Sequence, residues 1–195
     1  MTDLDKKLQD NDVSLIVCGE DYQEAIVRIV KEAERQCGKI CYVTLNKPYA
    51  SLTDLLRKKG IAAERFFFID GISKRVNDGN SPANCVFVTA PDALTELNIA
   101  ITRTIEKQRP TILVFDSLST LLIYLPTNSI IKFTQELTKK MKVNNIRAIF
   151  PIIRNKELID NISMFVDTVV SRKFDGEDEV DPSESQNPEA KENER

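Results

Sequence analysis

Asp116 is the side chain best placed for chemistry. It follows Thr111-Ile-Leu-Val-Phe115, a run of β-branched and large apolar residues, and precedes Ser117-Leu-Ser119-Thr120. Such a run reads as a fully buried parallel strand, and a carboxylate at its end faces the crevice where ligands bind in open α/β sheets. Two roles are open to it: ligating a divalent ion, or accepting hydrogen bonds at the strand end from backbone, Ser117 or Ser119. The second is the expected one, with no metal site unless a divalent ion is bound at Asp116. Histidine is absent, which removes His-based triads, imidazole metal sites and an imidazole pH switch. Cys18, Cys37, Cys41 and Cys85 lie mostly in or beside apolar runs and read as reduced core thiols. Cys37-Gly-Lys-Ile-Cys41 does not have a zinc spacing.

The elements that would position Asp116 follow from periodicity. Val13 to Cys18 is a short apolar run closed by Gly19. Tyr22, Ile26, Ile29, Val30, Ala33 and Cys37 then recur at helical spacing up to Gly38, which predicts strand, turn and helix. Ile40–Leu45 reads as a second strand, and Ser51 with Asp54 as a capping box opening the next helix. Phe66–Ile69 is a third strand, with its three phenylalanines in the core. Residues 70–84, rich in Gly, Asn, Ser and Pro, form a long loop. Cys85–Thr89 is a further strand, and Pro91-Asp92 starts a helix on Leu94, Leu97, Ile101 and Ile105 that stops at Pro110. A helix on Ile130, Phe133, Leu137 and Met141 and two strands, Ile146–Ile153 and Met164–Val170, complete the pattern. Alternating strands and helices imply right-handed crossovers, so the expected fold class is α/β, a doubly wound, largely parallel sheet with helices on both faces.

The 195 residues suit one domain with tails. Phe174–Arg195 holds nine Asp/Glu against two Lys/Arg, so of the chain's formal charge of -3 the body to residue 173 contributes 25 basic and 21 acidic side chains. The expected division is a polar segment at 1–12, a domain at 13–173 and an acidic, disordered tail at 174–195. No run of about 18 apolar residues is present, and a soluble cytoplasmic protein is expected.

This order of elements, with Ile112-Leu-Val-Phe-Asp116-Ser-Leu-Ser, resembles the RecA superfamily and, within it, the KaiC-like ATPase domains common in archaea. The resemblance implies a P-loop NTPase fold over about residues 13–173 and three positions that bear on activity. The family's phosphate loop needs glycines whose backbone wraps phosphate, a lysine that neutralises it and a hydroxyl that ligates Mg²⁺. After Gly19 this chain places Glu24 at the second glycine, Ala25 at the lysine and Ile26 at the hydroxyl. Glu20, Asp21 and Glu24 would repel a triphosphate, whereas at a helix N-terminus they complement the macrodipole. The family's catalytic glutamate is replaced by Asn46 and Lys47, neither a general base at neutral pH. Asp116, followed by Ser117, matches the Walker B aspartate.

The resemblance therefore implies a degenerate site: a non-catalytic pseudo-ATPase of the archaeal KaiC-like type, regulatory or scaffolding, with no cofactor expected. Its partner would be a protein, either a second copy or an active RecA/KaiC-like paralogue. A nucleotide or small ligand in an atypical site using Asp116, Ser117 and Lys47, with ATP and Mg²⁺ as one case, is the alternative. A DNA-associated accessory protein is another. Gly19 lacks the glycines of a Rossmann fingerprint. Lys74, Arg75, Lys139, Lys140, Lys142, Arg172 and Lys173 read as solvated surface, because lysines ending a helix suit its dipole and the body's small positive charge falls well short of a nucleic-acid footprint.

Overall fold

The computed structural model describes residues 3–36, 38–73 and 82–171. Seven strands, β1 (Val13–Cys18), β2 (Ile40–Thr44), β3 (Phe66–Asp70), β4 (Cys85–Phe87), β5 (Ile112–Asp116), β6 (Arg147–Ile153) and β7 (Thr168–Ser171), form one sheet in the order β4-β3-β2-β5-β6-β1-β7. Every pairing is parallel. The connections are α2 (Tyr22–Gln36), α3 (Tyr49–Lys58), α4 (Leu94–Gln108), the short α5 (Leu118–Leu121), α6 (Thr127–Val143) and α7 (Lys156–Ile162), with a single 3₁₀ turn at Ala63–Arg65. The fold is α/β.

Strand alternation splits the core in two. Odd-numbered residues of β2 and β5 (Cys41, Val43, Leu113 and Phe115) pack with Leu97 and Ile101 of α4, Phe133 and Leu137 of α6, and Leu158 of α7. Even-numbered ones (Ile40, Tyr42, Ile112 and Val114) pack with Ile26 and Ile29 of α2 and Leu52 and Leu56 of α3. β1, β2 and β5 are buried along their whole length, which is why each appears in the sequence as an unbroken apolar run.

Several expectations are corrected. The stretch before Val13 holds α1 (Asp3–Asp10), whose Leu8 is buried in the α2 and α3 core. Leu4 and Leu8, four residues apart, are its only apolar side chains. Ser51 and Asp54 do not open α3: it begins at Tyr49 after Pro48, and no side chain of the N-cap residue bonds it. α4 begins at Leu94, two residues beyond Asp92. α5 and α7 are additional, α7 capped locally by Asn155, whose Oδ1 accepts from Leu158 N at 2.9 Å. Lys140 and Lys142 are not merely solvated: Lys140 Nζ donates to Asn98 Oδ1 and, at 2.6 Å, to Thr102 Oγ1, tying α6 to α4. Lys142 Nζ lies 2.5 Å from Asp167 Oδ1. Phe66 and Phe68 are core, with Phe67 half-buried. Cys18, Cys41 and Cys85 are buried, and burial pushes the Cys41 and Cys85 thiols up to about 12.

Cys37, the middle of the long loop with Lys74 and Arg75, Arg172, Lys173 and the acidic tail lie outside the described residues. Among those described, no helix is long and apolar enough to cross a membrane.

Candidate functional site

Register sets the geometry at the carboxyl edge of the sheet. Thr44, which ends β2, is level with Asp70 of β3 on one side and Asp116 of β5 on the other. Residues in one register row share a face, so both carboxylates lie on the face covered by α2 and α3. Both are buried, and a buried carboxylate demands donors.

Asp116 takes three. Tyr22 Oη, from the first residue of α2, donates to Oδ1 at 2.5 Å. Asn46 Nδ2, just beyond β2, donates to the same oxygen at 2.6 Å. Tyr42 Oη, from the middle of β2, donates to Oδ2 at 2.6 Å. Burial raises the Asp116 carboxyl above its usual range, opposed by the two phenols, the Asn46 amide and the nearby charge of Lys47. The same burial, reinforced by the charge on Asp116, lifts Tyr22 and Tyr42 well above the ordinary phenol range. Each phenol therefore stays protonated and donates across the physiological range.

A ring of polar groups holds this arrangement. Asn46 Oδ1 accepts from Thr120 Oγ1, and Asn46 Nδ2 also lies 3.4 Å from Ser117 Oγ, itself 3.3 Å from Thr120 Oγ1. Thr44 Oγ1 donates to Lys47 O at 2.6 Å and accepts from Lys47 N at 3.3 Å, closing the turn that carries Asn46. The Asp116-Ser117 peptide bond is cis.

Asp70 takes four donors. Its Oδ2 accepts from Tyr49 N and Ser73 Oγ, each at 2.7 Å, and its Oδ1 from Ile72 N at 2.7 Å and Ser73 N at 2.9 Å. Tyr49 N is the first amide of α3, so Asp70 caps that helix from another strand, which explains why α3 lacks a local cap.

The sequence-derived positions fall out as follows. Gly19 and Glu20 are exposed, and Glu24 is exposed in the first turn of α2, where Glu24 N and Ala25 N donate to Asp21 O. Ala25 and Ile26 are buried in the core between α2 and the sheet. Asn46, Asp116 and Ser117 are brought together, with Lys47 half-buried close by. The partners expected for Asp116 are corrected: Ser117 and Ser119 do not bond its carboxylate, and Ser119 Oγ instead accepts from Ile153 N at 2.8 Å. Tyr22, Tyr42 and Asp70 are the residues that sequence reasoning missed. Tyr42 had a signal, because a phenol in the middle of a buried strand needs an acceptor. Among the described residues, no group of three or more His, Cys, Asp or Glu is arranged to hold a metal ion.

No protein-family model matches the chain, and no curated protein matches it. Solved structures do. A KaiC-like protein from the hyperthermophilic archaeon Pyrococcus horikoshii superposes with a TM-score of 0.57 at 16% identity, covering 82% of this chain and 70% of that one. The chain shares the fold of that KaiC-like protein. At this identity the scaffold is shared while the side chains are this chain's own, so the Tyr22, Tyr42, Asn46 and Asp116 cluster has to be read on its own chemistry.

Proposed function

We propose that this chain is a non-catalytic, KaiC-like RecA-fold protein, a pseudo-ATPase that serves as a regulatory or scaffolding partner through protein contacts in the cytoplasm. The observation that carries this reading is the bond from Tyr22 Oη to Asp116 Oδ1. Asp116 matches the metal-binding aspartate of the fold, yet its two carboxylate oxygens are taken up by three donors from the chain itself. Ala25 and Ile26, at the positions of the phosphate lysine and the Mg²⁺ hydroxyl, are core side chains. Asn46 donates to Asp116 and has no lone pair basic enough to activate water. ATP with Mg²⁺ does not fit these residues: the phosphate-loop lysine, the metal-ligating hydroxyl and the general base are each replaced, and the Lys47 cation lies beside Asp116 and not on the loop before α2.

Isothermal titration of the full chain with ATP and Mg²⁺ tests the reading. No heat of binding is expected, and micromolar affinity would overturn it. The partner class follows from what remains when the chemistry is removed, a folded surface, and it is a second copy or an active RecA/KaiC-like paralogue. Recovery from the native organism, with and without residues 174–195, would identify a paralogue directly.

A further inference from the structure

The helices α4 and α6 cover the same face of the sheet and leave a groove between them. At one end is a cleft of about 480 Å³, lined by Leu94, Thr95 and Ile99 of α4 and walled on the α6 side by Leu125 and Ser129. A second depression of about 300 Å³ lies further along α4, lined by Asn98, Ile99, Thr102, Arg103 and Glu106. Ile99 belongs to both, which joins them into one groove, and its side chain is 47% exposed. Thr95, Ile99, Thr102 and Glu106 recur every three or four residues and so form one stripe of α4. Lys140 of α6 reaches across to this stripe, its Nζ donating to Asn98 and Thr102.

The charges along the groove are unevenly placed. Asp92 and Glu96 line the cleft and no Lys or Arg does, whereas Arg103 and Glu106 share the second depression. None of these four has an ion-pair partner among the described residues. Hydrogen bonding from Thr89 holds the Glu96 carboxyl below its usual range, so it stays charged. An occupant that covers Leu94, Ile99 and Leu125 must therefore be apolar along one side and bring a cation to Asp92 and Glu96. From Leu94 to Glu106 the stripe runs for about 20 Å at 1.5 Å per residue. A groove that long, with Ile99 half in solvent, does not enclose a small ligand. It does fit a helix laid lengthwise, anchored by apolar side chains one turn apart.

We propose that the groove between α4 and α6 is the docking site for an amphipathic helix of a partner protein, with Lys or Arg at the end that lies over Asp92 and Glu96. The inference rests on the reading of this chain as one that acts through protein contacts, and it supplies the surface and the chemistry of the partner. Titration with ATP leaves this groove untouched, so the loss of nucleotide chemistry and the docking site can fail separately.

The probe is a displayed library of helical peptides, selected on the full chain with an excess of the Ile99→Asp variant in solution to remove binders of other surfaces. Selected peptides are expected to carry apolar residues at i, i+4 and i+7 with Lys or Arg towards one end. In fluorescence anisotropy with a synthetic peptide so obtained, Ile99→Asp and Asp92→Lys should each weaken binding by about tenfold or more while keeping the native circular dichroism. Thr95→Arg, exposed on the same stripe, takes the place of Ile99→Asp if that variant does not fold. The decisive arm exchanges charge: changing the peptide's cation to Glu should restore binding to Asp92→Lys and weaken it to the native chain. Selected peptides without a basic residue, binding indifferent to Asp92→Lys, or no peptide that tells the native chain from Ile99→Asp would each overturn the proposal. So would self-association of the chain that Ile99→Asp abolishes in sedimentation equilibrium, which would put a second copy in the groove.

Discussion

The phenol of Tyr22 and the carboxylate of Asp116, 94 residues apart in sequence, meet at 2.5 Å. The contact joins the first turn of α2 to the end of β5, across the carboxyl edge of the sheet. A hydrogen bond to a charged, buried acceptor contributes about 1.5–3 kcal/mol. Tyr22→Phe should therefore lower unfolding free energy by roughly 1–3 kcal/mol in urea titrations. A double-mutant cycle with Asp116→Asn should return a coupling of the same order, and a coupling near zero would show that the contact does not hold α2 to the sheet.

Alkali should expose the tyrosine pair. Both phenols have folded-state values well above the 10.0 of a free tyrosine, so the unfolded chain gives up these protons first. The stability they contribute is fully present below that value and is lost as pH rises past it. Of the four tyrosines, Tyr22 and Tyr42 should ionise only in a cooperative step that coincides with loss of the far-ultraviolet circular dichroism. Phenolate absorbance followed against pH gives the answer; a smooth titration of all four in the intact fold would contradict the buried pair.

Acid should act on Asp116 in the opposite direction from most carboxylates. Its value is raised above 3.8 in the folded state, chiefly by burial, so between its folded and unfolded values the native state holds the extra proton. Its ionisation removes stability as pH rises through that window, and protonation returns it as pH falls. Asp167 is the contrast: Lys142 and the Val13 amide hold it low, so its contribution is present above 3.8 and is lost as pH falls below. The stability difference between the native chain and Asp116→Asn, measured across the mildly acidic range, should shift in favour of the native chain as pH falls. A difference constant with pH would refute the assignment.

Asp70 predicts a loss that spreads to two elements. Asp70→Ala strands the amides of Tyr49, Ile72 and Ser73 together with the Ser73 hydroxyl. These donors are only part-buried and water can take over some of them, so a loss of about 1–3 kcal/mol is expected, and Asp70→Asn should keep part of the stability. Hydrogen exchange should accelerate at Tyr49 and at residues 72 and 73. If only the loop responds, the cap on α3 is supplied by another group.

How much of this was legible depended on whether the cause was local. β1, β2 and β5 announce themselves because a strand buried on both faces has to be apolar throughout, and α2, α4 and α6 because each buries one stripe. α1 and α7 are short and largely polar, so their patterns carry little signal. The misplaced capping box has a physical origin: Ser51 and Asp54 have the right spacing, but the cap of α3 is Asp70, 21 residues beyond Tyr49. The site was half legible. Asp116 and Ser117 were found from residue type and strand position and Asn46 from the family resemblance, whereas Tyr22 looks in sequence like an ordinary apolar position of a helix and Tyr42 is marked only by a phenol in a buried strand.

Covalent attachment gives Tyr22 a property that no dissociable ligand shares. A diffusible group occupies its site in proportion to its concentration, and protein stability rises and falls with that concentration. A phenol fixed to α2 sits beside Asp116 at an effective concentration set by the chain, which neither dilution nor metabolic state can change. The bond therefore responds to temperature and to proton concentration rather than to dilution.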